Sequence, residues 1–214
     1  TMEMIGDSKS TNFGYRSSDV MYLFTKGVAF GLNASDAYKN EVAVDNYMTT
    51  SSDEWSFSYM GAPTTRTIME NRADEVYQSS MDTPVRFDYD KYVEYMKAHT
   101  ALILRTDKQP FAPYDLARDA EKYQAALDPD ALKAEGLDTD AMTSALSQYT
   151  KDAQQLLDLN LKLSGLYREA VEAGKSTAKV DSMIAAYNQA MRDTAKTVIQ
   201  GNQYVALDIP VNQI

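Results

Sequence analysis

The spacing of apolar residues changes along this chain, and the change predicts two regions of different architecture. In the first region, up to about residue 106, short apolar runs alternate with segments whose apolar residues recur at helical spacing. This alternation of strand and helix is typical of an α/β sheet covered by helices. The predicted strands cover 1–5, 41–44 and 64–69, and the predicted helices begin near Ser17 or Ser18, at Ser52 and at Asp88.

The second region is helical almost throughout. A helix is predicted over 114–127, and a turn follows it at 128–130. Two longer helices, about 139–173 and from 176 onward, are separated by Gly174, a residue that commonly ends helices. Their apolar positions follow steps of three and four, which predicts an antiparallel hairpin with a packed seam. The seam positions include Met142, Ala153, Leu163, Ile184, Tyr187 and Met191.

Two prolines mark the boundary between the regions. Pro110 and Pro113 lie close together, and proline disfavours helix at the residue before it and lacks a backbone donor. We therefore predict an α/β domain over 1–106 and a helical domain over 107–214.

Composition and charge narrow the function classes. The chain has 214 residues, a formal net charge of −10, one histidine and no cysteine. Its scattered lysines argue against nucleic-acid binding, because phosphate contacts need clustered positive charge. No apolar run approaches the roughly 18 residues of a membrane span. Without cysteine the chain has no thiolate nucleophile, cysteine zinc site or disulfide. The lack of cysteine does not identify a compartment, and a secreted or cell-surface location stays open.

An acidic residue at the start of the chain is the first candidate for chemistry. Glu3 interrupts the apolar run of the first strand, and a carboxylate at the end of a buried strand is costly unless it is paired, hydrogen-bonded or bound to metal. A domain that opens on such a strand predicts an N-terminal half that precedes Thr1. The apolar stretch 204–214 likewise predicts polypeptide beyond Ile214.

Three short segments follow in an order that resembles a known family. They are Met2-Glu3-Met4-Ile5-Gly6, then Ser52-Asp53-Glu54-Trp55-Ser56-Phe57 with Gly61-Ala62-Pro63, and finally Tyr77-Gln78-Ser79-Ser80-Met81-Asp82-Thr83 before a long helix. In this order and spacing they are similar to the zinc aminopeptidases that include glutamate carboxypeptidase and the transferrin receptor. The resemblance implies the C-terminal part of a three-layer zinc-peptidase sheet domain, followed by a helical domain like the dimerisation domain of the transferrin-receptor branch.

The resemblance also implies roles for individual residues. Glu3 and Gln78 match positions of zinc ligands, although the family has aspartate and histidine there. Tyr77 matches a tyrosine that can donate to the oxyanion of the tetrahedral intermediate. Ser52 and Asp53 match a turn that borders the substrate pocket. The family's remaining zinc ligands and its glutamate general base would precede Thr1.

Each of these residues also has a structural interpretation. Glu3 can bond to a neighbouring loop, Gln78 can be a surface residue and Tyr77 can pack on the sheet. Ser52 and Asp53 can cap the helix that follows them. The remaining candidates are expected to be structural: His99 in the core, and Arg66 and Arg72 in surface ion pairs.

Three functions compete at this point. The resemblance implies a zinc-dependent exopeptidase that hydrolyses peptides or N-acyl amino acids. The alternative is a metal-free, peptidase-like binding or structural module, which Gln78 favours because an amide is a weak zinc ligand. A third interpretation is an acidic helical interaction protein with an α/β cap. The resemblance and the long apolar seams both predict a homodimer.

Overall fold

The protein combines a small mixed sheet with a largely helical region. The computed structural model describes residues 2–3, 6–10, 12–38, 41–46, 52–70, 79–81 and 83–207. The chain divides into two compact units: a sheet unit, Thr1–Gln109 with Ala195–Ile214, and a helical unit, Pro110–Thr194. The division falls after Gln109, and the end of the last helix groups with the sheet unit.

Four strands of the described residues form the sheet, and the last of them along the chain lies inside it. The strands are β1 Met2–Glu3, β2 Asn12–Ser17, β3 Val42–Asp45 and β4 Thr65–Glu70. Their order is β1-β4-β2-β3, in which β1 is parallel to β4, β4 is antiparallel to β2, and β2 is parallel to β3.

Among the described residues, three α-helices lie wholly within the sheet unit, and two of them pack on one core. The helices are α1 Tyr22–Asn33, α2 Glu54–Tyr59 and α3 Tyr89–Asp107. Asp88 caps α3 as predicted, since its carboxylate accepts from the backbone N–H groups of Asp90 and Lys91. The core combines residues of the strands, inward-facing residues of α1 and α3, and one residue of the loop after α1: Phe13, Tyr15, Val28, Ala29, Tyr38, Val42, Met69, Tyr95, Ala98 and Leu102.

The sheet unit corrects two predictions about local structure. Strand β2 was not predicted, although it pairs with both β3 and β4 and buries Phe13 and Tyr15. The predicted cap at Ser17 or Ser18 is wrong, because Ser17 ends β2 and Ser18 makes no side-chain capping bond. A 3₁₀ turn over Asp19–Met21 leads into α1 instead.

The helical unit contains four helices, and its seam lies largely where the apolar spacing predicts. The helices are α4 Leu116–Ala126, α5 Pro129–Ala134, α6 Asp140–Glu172 and α7 Ala178–Leu207, which continues into the sheet unit. The buried seam residues are Ala153, Leu163, Ile184, Tyr187 and Met191. Met142 is instead 43% exposed and lines an apolar groove of about 500 Å³ between α4 and α6.

Helix α5 replaces the predicted turn at 128–130. The carboxylate of Asp128 accepts from the backbone N–H of Ala131, and Pro129 occupies the first helical position, where its missing N–H costs nothing. The same sequence that resembles a turn is therefore a helix start.

None of the helices in the described part of the chain combines the length and the apolar character that a bilayer crossing requires.

Candidate functional site at the carboxyl ends of β1 and β4

Parallel pairing brings the carboxyl ends of two strands to one edge of the sheet. Met2 pairs with Thr67 and Glu3 with Ile68, so the chain leaves β1 and β4 in the same direction. The backbone of Glu3 therefore lies at the edge from which the segment that contains Tyr77 and Gln78 departs. The side chain of Glu3, and Tyr77 and Gln78 as a whole, lie outside the described residues.

The turn that follows β1 is bonded to β4. We call residues Gly6–Ser10 the Gly6 turn. Gly6 has φ of +82°, a left-handed conformation that glycine adopts without strain, and its N–H points to the sulfur of Met69 at 3.0 Å. This contact ties the Gly6 turn to the chain that precedes Tyr77.

The same turn is also bonded to the chain that follows Gln78. We call Pro84–Lys91 the α3 entry segment. The N–H of Asp88 donates to the carbonyl of Gly6 at 2.7 Å, and the N–H of Ser8 donates to the carbonyl of Arg86 at 2.8 Å. An ion pair of 3.6 Å joins Arg86 to Asp7. The flanks of the Tyr77–Gln78 segment thus both contact the turn that follows Glu3.

Ser52 and Asp53 lie before α2, and their bonds differ from the predicted cap. Asp53 is exposed and accepts no capping hydrogen bond. The hydroxyl of Ser52 donates to the carboxylate of Glu54, and its carbonyl accepts from the N–H of Trp55 at 3.0 Å. The side-chain cap predicted from Ser52 and Asp53 is therefore wrong, because Asp53 holds the N-cap position without a capping bond and Ser52 precedes that position. The predicted place of both residues beside a substrate pocket stays a prediction.

A buried ion pair joins the start of α2 to the first half of β4. Nε of Arg66 lies 3.3 Å from Oε1 of Glu54, and the two residues are only 2% and 1% exposed. The predicted surface pairing of Arg66 is wrong, while Arg72 lies outside the described residues. Buried charges need close partners because the apolar interior solvates them poorly.

His99 belongs to a hydrogen-bonded row instead of the apolar core. Its Nδ1 lies 3.1 Å from the hydroxyl of Thr67, which also accepts from the hydroxyl of Tyr95 at 2.7 Å. His99 is only partly buried, and this burial lowers the pKa of its imidazole below the ordinary value. The row joins α3 to β4 one residue before Ile68, the pairing partner of Glu3.

The part of the chain that the structure describes offers no clustered donors to a metal. Within the described ranges, no group of three His, Asp or Glu side chains could hold a metal ion. The predicted ligands Glu3 and Gln78 add one carboxylate and one amide, and the single imidazole is bonded to Thr67. Three protein ligands are the usual minimum of a catalytic zinc site, and an amide is a weak one.

Sequence reasoning missed several residues that organise this edge of the sheet. Gly6 belongs to the first motif, but Arg86, Phe87 and Lys91, which connect the turn after β1 to the start of α3, were not selected. A glycine directly after a strand, and a lysine three residues after a helix cap, are signals in the sequence. They indicate a tight turn and a helix start, but not that the two meet.

Comparison with protein-family models, with curated proteins and with solved structures finds no match to this chain.

Proposed function

We propose that this chain forms part of the active site of a zinc-dependent exopeptidase that hydrolyses peptides or N-acyl amino acids. In this proposal the sheet unit is the C-terminal part of a zinc-peptidase sheet domain, and the helical unit is a dimerisation domain. Glu3 and Gln78 lie at the metal, Tyr77 donates to the oxyanion that develops on the scissile carbonyl, and Ser52 and Asp53 border the substrate pocket.

One observation supports this proposal above the others. The Gly6 turn, three residues after Glu3, is hydrogen-bonded to Met69 on one side of the Tyr77–Gln78 segment and to Asp88 on the other. Two segments that resemble ligand-bearing motifs therefore begin from one edge of the sheet. A sheet edge at which parallel strands end is the common location of ligand sites in α/β proteins.

The predicted ligands and the described residues together do not fit a zinc site. One carboxylate, one amide and a histidine engaged with Thr67 leave the metal short of good ligands. The proposal therefore requires further ligands, and the general base, from an N-terminal half of the same protein.

The same donor set favours a second function, a metal-free binding or structural module built on a peptidase scaffold. A neutral amide at position 78 binds zinc far more weakly than imidazole, because its lone pair is much less basic. Such a module keeps the pocket and the sheet edge but hydrolyses nothing.

Zinc content separates the two functions. If the protein is an exopeptidase, the full-length protein purified after growth with added zinc contains about one or two zinc ions per protomer. Release of amino acids from a peptide library should then stop when a chelator is added. A protein without zinc that still binds peptides would support the binding module.

A gain of affinity tests the location of the metal. Gln78→His restores imidazole at the predicted ligand position, so zinc affinity should rise by about tenfold or more. The matched control is Gln109→His, which adds the same side chain at an exposed position. Equal zinc affinity in both variants, measured by competition with a chromophoric chelator, would contradict a metal site at Gln78.

We also propose that the protein is a homodimer. Apolar side chains on the surface of α6 support this, with Leu161 64% exposed and Leu157 41% exposed. Light scattering should report twice the mass of one chain for the parent protein. Leu161→Glu should lower that mass toward the monomer, whereas Lys162→Glu on the neighbouring exposed position should not; a monomeric parent would exclude the dimer.

A further inference from the structure

A single lysine holds the Gly6 turn from the side of α3. The ammonium group of Lys91 donates to the carbonyl oxygens of Ser8 and Ser10, the latter at 2.6 Å. Both acceptors are backbone atoms of the Gly6 turn. Hydrogen bonds from a charged donor are stronger than neutral ones, so this contact can fix the path of the turn.

The backbone around Lys91 is fixed to the same turn. The carboxylate of Asp88 accepts from the N–H of Lys91 at 3.0 Å, while the N–H of Asp88 donates to the carbonyl of Gly6 at 2.7 Å. A Cβ atom added at Gly6 would lie 2.8 Å from Cδ2 of Phe87, so the ring packs directly on the glycine. The side chain of Lys91 and the backbone at the start of α3 therefore both contact the Gly6 turn.

We propose that Lys91 is a positioning residue, which holds the Gly6 turn and the carboxyl end of β1 in a fixed place relative to the α3 entry segment. The role of Lys91 is inferred from its contacts with Ser8 and Ser10 and from the bond between Asp88 and Gly6. Its meaning for the site, namely the orientation of Glu3 toward the chain around Gln78, rests on the proposed function.

The absence of cysteine makes the coupling measurable by spin labelling. Lys9→Cys and Ser80→Cys place two labels on exposed positions, one in the Gly6 turn and one two residues after Gln78. The distribution of distances between the labels reports how firmly the two segments are held. It is measured in the labelled parent and with Lys91→Met, Lys91→Arg and the control Lys97→Met, which removes an exposed lysine from the same helix.

Lys91→Met should broaden the distance distribution, whereas Lys97→Met should leave it unchanged and Lys91→Arg should keep it narrow. Exchange of the Ser8 and Asp88 amide hydrogens should rise by about tenfold in Lys91→Met, because both amides bond across the coupled segments. Lys91→Gln, which keeps donors without the charge, replaces Lys91→Met if that variant does not fold.

The assignment is overturned if Lys91→Met leaves the distribution and both exchange rates as they are in the parent. It is also overturned if Lys97→Met broadens the distribution equally. Neither measurement needs zinc or activity. A protein that binds no zinc but responds selectively to Lys91→Met would therefore refute the exopeptidase and retain the positioning role.

Discussion

His99, the one histidine of the chain, takes part in a row of hydrogen bonds between α3 and β4. The Tyr95 hydroxyl shares its one proton between the carbonyl and the hydroxyl oxygens of Thr67, each 2.7 Å away, so the proton of the Thr67 hydroxyl can point to Nδ1 of His99 at 3.1 Å. We infer from this network that neutral His99 carries its proton on Nε2. A second proton, on Nδ1, would force the Thr67 hydroxyl to turn away.

This arrangement predicts a loss of stability in mild acid. Because burial lowers the pKa of His99 in the folded state, the unfolded chain takes up the proton first. The free energy of unfolding should therefore fall as pH drops below about 6.5, the ordinary histidine value, and level off once folded His99 is protonated too. Urea unfolding at pH 5, 6 and 7 measures this effect.

His99→Asn provides the comparison, because its amide oxygen can replace Nδ1 as an acceptor but does not titrate. The variant should lose less stability than the parent between pH 7 and pH 5. Identical losses in the two proteins would show that carboxylates alone cause the pH dependence.

The buried pair of Glu54 and Arg66 predicts strong coupling between two substitutions. Glu54→Gln or Arg66→Met leaves one buried charge without its partner, and each should cost about 3–5 kcal/mol of unfolding free energy. The double variant should cost clearly less than the sum of the two. Additive costs in a double-mutant cycle would contradict the coupling, and Lys97→Met in an exposed pair should cost less than about 1 kcal/mol.

At the scale of elements, two positions occupied by glycine differ in whether the fold needs glycine there. Gly6 has φ of +82° and the Phe87 ring against it, whereas Gly27 lies inside α1 with open space around it. The first position needs glycine for its conformation and its close approach. The second is occupied by a residue that weakens a helix.

Alanine at each position should therefore have effects of opposite sign. Gly6→Ala should destabilise the protein by about 1–3 kcal/mol through strain and the displaced Phe87 ring. Gly27→Ala should stabilise it by about 0.5–1 kcal/mol. Thermal unfolding measures both changes in stability. A Gly6→Ala protein as stable as the parent would mean that the Gly6 turn has room to rearrange.

Helices were predicted from the sequence better than strands, for a physical reason. The apolar spacing of α6 and α7 and the Asp88 cap of α3 are local signals that survive in the fold. Strand β2 has no comparable signal, because its Asn-Phe-Gly-Tyr-Arg-Ser sequence includes glycine and charge and becomes a strand through pairing with β3 and β4.

From the sequence, the candidate site could be predicted only as three motifs that follow one another in a given order along the chain. Glu3, Tyr77 and Gln78 can be selected from the sequence, but the parallel pairing of β1 with β4 is a long-range contact that no local pattern specifies. The burial of Arg66 was missed for the same reason. A charged residue in a strand is normally exposed, and the buried pairing with Glu54, a tertiary contact, reverses that expectation.

At the scale of the whole molecule, charge is the dominant property. With 31 acidic and 21 basic residues, the chain repels itself in the compact state, and salt reduces this repulsion. The midpoint of thermal unfolding at pH 7 should rise by a few degrees between about 0.01 M and 0.5 M sodium chloride. The added salt shortens the Debye length, which is about 30 Å at the lower concentration, and so screens the repulsion. An unchanged or lower midpoint would show that attractive pairs outweigh the net charge.

The strand order constrains how the protein can fold as it is synthesised. Among the described strands, β1 pairs only with β4, and Met2 meets Thr67 only after the intervening chain has left the ribosome. At about 5–20 residues per second, that wait lasts several seconds. Strands β2 and β3, joined through α1, can pair earlier. A translational pause before β4 would therefore prolong the time during which β1 lacks this pairing partner.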